Sequence, residues 1–146
     1  MLTSNFYKWI AYHLNGGGSV EPKMVDLGYR QEEWSNTPDW LLSGSCYSKA
    51  CSNTNFNYDS TGYSAVSGIN TVSTTKAFIT EGQSMYIEFT CTFQNSSGSD
   101  KTINSIAIVS PKSSSYEYLI VAETLDEPVV LANNTSYTRK IIVKIH

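Results

Sequence analysis

Residues Ser84 to Gln94, SMYIEFTCTFQ, alternate strictly in polarity: Met85, Ile87, Phe89, Cys91 and Phe93 share one parity, while Tyr86, Glu88, Thr90, Thr92 and Gln94 share the other. A period of two is that of a β-strand, whose successive side chains leave the sheet on opposite faces, and no helix gathers such a set on one side. The segment is therefore expected to be an antiparallel strand with one buried and one wet face. A strand of this kind needs other strands beside it. The rest of the chain must supply them.

The sequence downstream does so. Asn95 to Lys101, NSSGSDK, is a turn cluster, and Thr102 to Val109 follows as a strand built on Ile103, Ile106 and Ile108. Its parity break between 103 and 106 predicts a bulge. The two strands should form a hairpin or a corner between sheets. Tyr116 to Glu123 reads as a third strand and Glu127 to Leu131 as a fourth, with Pro128 favouring an edge or a strand start. Ala132-Asn133-Asn134-Thr135 makes the next turn. The last strand, Tyr137 to Ile145, sets Tyr137, Arg139, Ile141, Val143 and Ile145 against Thr138, Lys140, Ile142 and Lys144. Closely spaced strands with polar turns describe a mainly β domain, an antiparallel β-sandwich of immunoglobulin-like or jelly-roll-like type.

The N-terminal part is different. Residues 4 to 14, SNFYKWIAYHL, predict a short amphipathic helix, capped by Ser4 and carrying Phe6, Trp9, Ile10, His13 and Leu14 at helical spacing. So short a helix is marginal alone, and it must dock either on its own sheet or on a partner reached through the Gly16-Gly17-Gly18 hinge. Residues 1–18 are thus a helix and hinge, a candidate anchor carried by Phe6, Trp9, Ile10 and Leu14. Residues 19–146 form a single sandwich domain. Within it Met24 to Tyr29 is a weak strand, and 34–76 is a long polar region in which some irregular β structure is expected.

Charge narrows the function classes. Asp, Glu, Lys and Arg make up only 16% of the chain, against about 25% in ordinary globular proteins, and no basic run offers a track for phosphates. Nucleic acid is not the expected partner. Neutral polarity replaces the charge: Ser, Thr and Asn together supply 46 of 146 residues. No segment approaches the roughly 18 apolar residues of a membrane helix, and the N-terminus lacks the order of a secretory signal, so neither membrane nor export is expected.

The nucleophiles and acids fall into no recognisable catalytic motif. There are two histidines, His13 in the helix and His146 at the end, and no nucleophile elbow, P-loop or dinucleotide fingerprint. Glu32, Glu33, Asp39 and Asp59 lack distinctive spacing and read as solvated surface. Of the three cysteines, Cys91 falls on a buried parity, and Cys46 with Cys51 lacks the further ligands zinc requires. No enzyme, cofactor or metal is expected. Trp34, Trp40, Tyr47, Tyr58 and Tyr63 punctuate the polar region and could close one end of the sandwich or meet a ligand or neighbour, with a sugar-stacking role as the alternative. The sequons at Asn95 and at Asn133 and Asn134 read as turn chemistry.

Three segments carry a resemblance. The stretch GQSMYIEFTCTFQNSSGSDKTINSIAIV (82–109) is similar to a pattern of immunoglobulin-like sandwiches. Together with the ending YLIVAETLDEPVVLANNTSYTRKIIVKI and the opening MLTSNFYKWIAYHLNGG, it resembles small structural proteins of tailed-bacteriophage virions. The likeness covers the first 17 residues and 79–146, leaves 34–76 unmatched, and departs at Ala132-Asn133-Asn134, where a Pro-Gly turn would be commoner. It implies a non-enzymatic virion subunit, made in the host cytoplasm: a capsid accessory or decoration protein, or a neck, tail or fibre component. Its partners would be other virion proteins, as a homo-oligomer or bound to a lattice. The alternative is a carbohydrate-binding or host-adhesion module recognising surface glycans.

Overall fold

The computed structural model describes residues 1–3, 46–60, 62–113 and 116–144. The helix expected at 4–14, the triple glycine and the strand at Met24 to Tyr29 lie outside the described residues, as do Phe6, Trp9, Ile10, Leu14, Trp34 and Trp40.

Six strands are described: β1 (Tyr47–Cys51), β2 (Ile69–Glu81), β3 (Ser84–Asn95), β4 (Lys101–Ser113), β5 (Tyr116–Leu131) and β6 (Ser136–Lys144). They form two antiparallel sheets, ordered β1-β4-β5 and β2-β3-β6. The sheets share one core. Ile87, Phe89, Cys91, Phe93, Ile141 and Val143 of the second sheet meet Ile103, Ile106, Ile108, Ile120 and Val121 of the first. The chain is mainly β, and the alternation of β3 accounts for its place: its odd parity forms the centre of this core, as the sequence predicts.

Connections follow from local chemistry. Glu81 pairs with Ser84, and Gly82 at φ 62° opens the two-residue turn between β2 and β3, a backbone that glycine adopts without strain. β3 then crosses to the other sheet, so the NSSGSDK cluster is a corner between sheets rather than a hairpin. The segments expected as two strands, Tyr116 to Glu123 and Glu127 to Leu131, are one strand, β5. Its pairing with β4 jumps from Ser105↔Thr124 to Ile103↔Val129, so Leu125 to Pro128 bulge out opposite Asn104 alone. The bulge read from the Ile103/Ile106 parity break falls at this jump.

β4 and β5 carry continuous apolar runs at Ile106–Val109 and Leu119–Ala122 because there their sheet is covered on both faces, whereas further along Val130 is exposed. The outer side of Cys51, Ala107, Val109, Leu119 and Ala122 is a second small core closed by Phe56, with Tyr63 packed against it. The polar segment after β1 thus folds back over the sheet. Ala65 pairs with Cys51, Ser52 N donates to Ser64 O at 2.9 Å, and Val66 N donates to Ala50 O at 2.9 Å. At the opposite edge Leu2 pairs with Val121, and Thr3, buried, donates from its hydroxyl to the Leu119 carbonyl. Residues 1–3 therefore extend the first sheet, although the sequence reading groups them with the anchor.

Candidate functional site

Two surfaces differ from the rest of the molecule. One is the lateral seam where β1 and β2, edge strands of opposite sheets, run side by side. Ser48 N donates to Thr74 Oγ1 at 2.8 Å, the two hydroxyls lie 2.7 Å apart, and the Thr71 hydroxyl donates to the Ser48 carbonyl. Threonine side chains thereby satisfy backbone groups that an edge strand would otherwise present to solvent. Further along the seam Lys76 Nζ donates to Cys46 Sγ at 3.8 Å. Burial pushes the Cys46 thiol up and the Lys76 ammonium down, each partly offset by the other. A groove of about 540 Å³ opens on the seam, bordered by Cys46, Tyr47, Asn70, Thr71, Ser73 and Thr74 among others. Across the molecule the sheets are joined differently: Arg139 of β6 reaches Glu123 of β5 at 2.5 Å. That pair explains an arginine on the inward parity of the last strand.

The second surface is the outer face of the β2-β3-β6 sheet. Cross-strand registry lines up Ala77, Glu88 and Ile142, then Thr75, Thr90 and Lys140, then Ser73, Thr92 and Thr138. Thr92 and Thr138 hydroxyls are 3.0 Å apart, and Lys140 bonds Glu88 at 3.0 Å. Ile142 is 59% exposed on this face. The register shift between Thr71 and Ser73 leaves Val72 out of the ladder, also 59% exposed. The two outer edges of the sheet are unlike. β6 presents Lys140 and Lys144, exposed cations of the kind that discourage strand addition. β2 has one charged residue before Glu81, Lys76, and its side chain is turned inward to Cys46.

The aromatic residues named from the sequence do not converge. Tyr47 borders the groove and is half exposed, and Tyr58 is half exposed in the segment over the first sheet. Tyr63 is partly buried against the second core. Tyr58 and Tyr63 do not border the groove. Asn95 is fully buried, so its sequon is turn chemistry in the folded chain. Cys46, Cys51 and Cys91 are free and buried, and burial pushes Cys51 up to about 12 and Cys91 to about 11. Among the described residues no cluster of His, Cys, Asp and Glu is arranged to hold a metal.

Sequence reasoning missed Ser48, Thr71, Thr74 and Lys76. β2 reads INTVSTTKAFITE, with polar residues on both parities, so hydrophobic alternation gives no signal. The available clue is its run of β-branched residues, which favour strands. No protein-family model, curated protein or solved structure matches the chain.

Proposed function

We propose that the chain is a non-enzymatic structural subunit of a virion, of the tailed-bacteriophage kind that its sequence resembles, working through protein–protein contacts. It would serve as a capsid accessory or decoration protein, or in the neck, tail or fibre, bound to other virion proteins or to copies of itself. The observation that carries the reading is the asymmetry between the sheets. Among the described residues, the first sheet has a second small core on its outer side and residues 1–3 beside part of β5, with Val130 left 64% exposed, whereas the second keeps a hydroxyl-rich outer face around the Lys140–Glu88 pair, an exposed Ile142 and Val72, and a long β2 edge whose charges are Lys76, turned to Cys46, and Glu81 at its end. An edge of that kind accepts a partner strand through main-chain hydrogen bonds, with the flanking side chains setting specificity. The crossing β3-β4-β5-β6 order, which returns β6 beside β3, supports the immunoglobulin-like variant of the sandwich.

The test is occupancy in purified particles. Wild type should be present in many copies by quantitative mass spectrometry. A Val72→Glu, Ile142→Glu double variant should be depleted at least tenfold while keeping its thermal melt. Particles that lack the wild-type chain, or that take up the variant normally, refute the proposal. One observation favours a second reading: half-exposed Tyr47 stands on a groove with Asn70, Thr71 and Ser73, the mix of aromatic face and hydrogen-bonding groups that suits a sugar. In that case a glycan array gives a signal abolished by Tyr47→Ala.

A further inference from the structure

The seam brings a thiol and an amine into contact between elements that belong to different sheets. Cys46 immediately precedes β1, Lys76 lies within β2, and Nζ and Sγ are 3.8 Å apart and separated by 30 positions in the chain. We propose that Cys46 and Lys76 are a modification site, joined under peroxide by a covalent nitrogen–oxygen–sulfur bridge that staples the two sheets together.

Three observations carry it. First, the pair is held by both strands. β1 is fixed against β4 from Tyr47↔Val109 onward, and Lys76 sits opposite Phe89 in the β2-β3 ladder. Neither group has far to travel. Second, Cys46, 9% exposed, borders the open groove, which is the side from which a small oxidant would approach, and Lys76 partly offsets the burial that pushes its thiol up. Third, the gap suits an interposed atom: at 3.8 Å an oxygen bridge needs a smaller closure than a direct sulfur–nitrogen bond. Burial also disfavours the ammonium form of Lys76, which raises the share of neutral amine, the form with a lone pair to oxidise. Cys51 and Cys91 lie deeper, and among the described residues neither has a lysine amine in hydrogen-bond contact: Cys51 bonds the Lys49 carbonyl and the Ala107 backbone, with the Lys49 ammonium acting on it only electrostatically, and Cys91 bonds Ser48.

The chemistry balances with hydrogen peroxide as oxidant. One peroxide converts the thiol to a sulfenic acid and releases one water. A second converts the amine to a hydroxylamine and releases another. The hydroxylamine oxygen then attacks the sulfenic sulfur: the new sulfur–oxygen bond forms, the sulfenic hydroxyl leaves as water with the hydroxylamine proton, and the nitrogen–oxygen–sulfur link remains. Two peroxides are reduced to four-electron completion, sulfur and nitrogen each lose two electrons, and three waters are produced. Two equivalents of a dithiol, supplying four electrons, reverse the link: they return thiol and amine, become two disulfides, and the bridging oxygen leaves as water.

The experiment exposes the native full chain to hydrogen peroxide, quenches it, and measures intact mass and peptide maps, with and without subsequent reductant. The expected result is a gain of one oxygen less two hydrogens, a peptide joining residues 46 and 76, and loss of both on reduction. The oxidised form should melt roughly 10 °C higher, since the bridge closes a long loop in the unfolded chain. Cys46→Ser and, separately, Lys76→Arg should each abolish the linked peptide; the arginine variant retains the charge on β2. Oxidation that stops at Cys46 with Lys76 intact, links Cys46 to another thiol, or leaves the native chain unchanged overturns the proposal.

Discussion

Asn95 ties together three parts of the chain, and its replacement should be costly. Its side-chain amide donates to Ser99 O at 2.7 Å and to Leu131 O at 2.8 Å, while its carbonyl oxygen accepts from Ser97 N at 2.9 Å. Its backbone adds Thr135 O at 3.0 Å and Asn134 N at 2.8 Å. The corner after β3, the end of β5 and the turn before β6 therefore converge on one fully buried residue. In Asn95→Ala, Ser97 N and Ser99 O lie in exposed turn where water replaces the lost partner, at about 0.5–1.5 kcal/mol each, but the bond to Leu131 O is buried and costs about 1–3 kcal/mol. The sum is about 2–6 kcal/mol, centred near 4, or roughly 10 °C in melting temperature for a chain of this size. Asn95→Asp is the sharper probe. It preserves shape and the acceptor for Ser97 N, yet turns a carboxylate oxygen toward two carbonyl oxygens. Burial and those carbonyls favour the protonated acid, so the folded-state pKa of the new group rises above its unfolded value. The variant's stability is then best at low pH and falls as pH climbs through that raised pKa. Urea unfolding at pH 4 and pH 7, with unchanged m-value, measures both effects. A deficit below about 1 kcal/mol in Asn95→Ala, or an Asn95→Asp deficit that does not shrink at pH 4, refutes the convergence described.

Other expectations follow from single contacts. Gly68 has φ +82°, and a Cβ there would lie 2.3 Å from Ser97 Cβ, whereas Gly98 at φ +87° has open space; Gly68→Ala should cost at least about 2 kcal/mol more than Gly98→Ala in urea unfolding, since both share the backbone strain. The Arg139–Glu123 pair is partly exposed, so a double-mutant cycle should return only about 0.5 kcal/mol and less in high salt. Cys51 and Cys91 are raised from an ordinary value near 9 to about 12 and about 11. Their contribution to stability is fully present below pH 9 and is lost as pH rises toward 11–12, because unfolded thiols ionise while native ones stay neutral. Native-state alkylation at pH 8 should accordingly be slow at both, and fast alkylation of either would contradict their burial.

The legible part of the fold is the part where one face is apolar and the other is not. Phe89, Cys91 and Phe93 in β3 and Ile141 and Val143 in β6 declare their parity, and the structure buries them together. β4 and β5 are harder, because Ile106 to Val109 and Leu119 to Ala122 are buried on both faces and a continuous apolar run hides the strand period. The Leu125 to Pro128 bulge follows from the two-strand reading only in hindsight of the register. β1 and β2 are the least legible: their inward residues Ser48, Thr71, Thr74 and Lys76 satisfy one another through hydrogen bonds across the seam, so burial there leaves no hydrophobic trace. The candidate surface was hidden for a related reason. A face of Ser, Thr, the Lys140–Glu88 pair and one exposed Ile142 looks like ordinary solvated strand until the pairing shows that, among the described residues, part of the opposite sheet carries a second core and this face carries none.

The proposed assembly through the β2 edge and the face beside it is tested most directly by amide exchange. Hydrogen exchange compares the isolated chain with the same chain in purified particles. The amides of β2 between Thr74 and Glu81 that do not bond to β3 should exchange quickly when the chain is free and become strongly protected on assembly, while those of β4 stay slow in both states. Unchanged β2 exchange in particles, with new protection confined to the first sheet, would contradict the account.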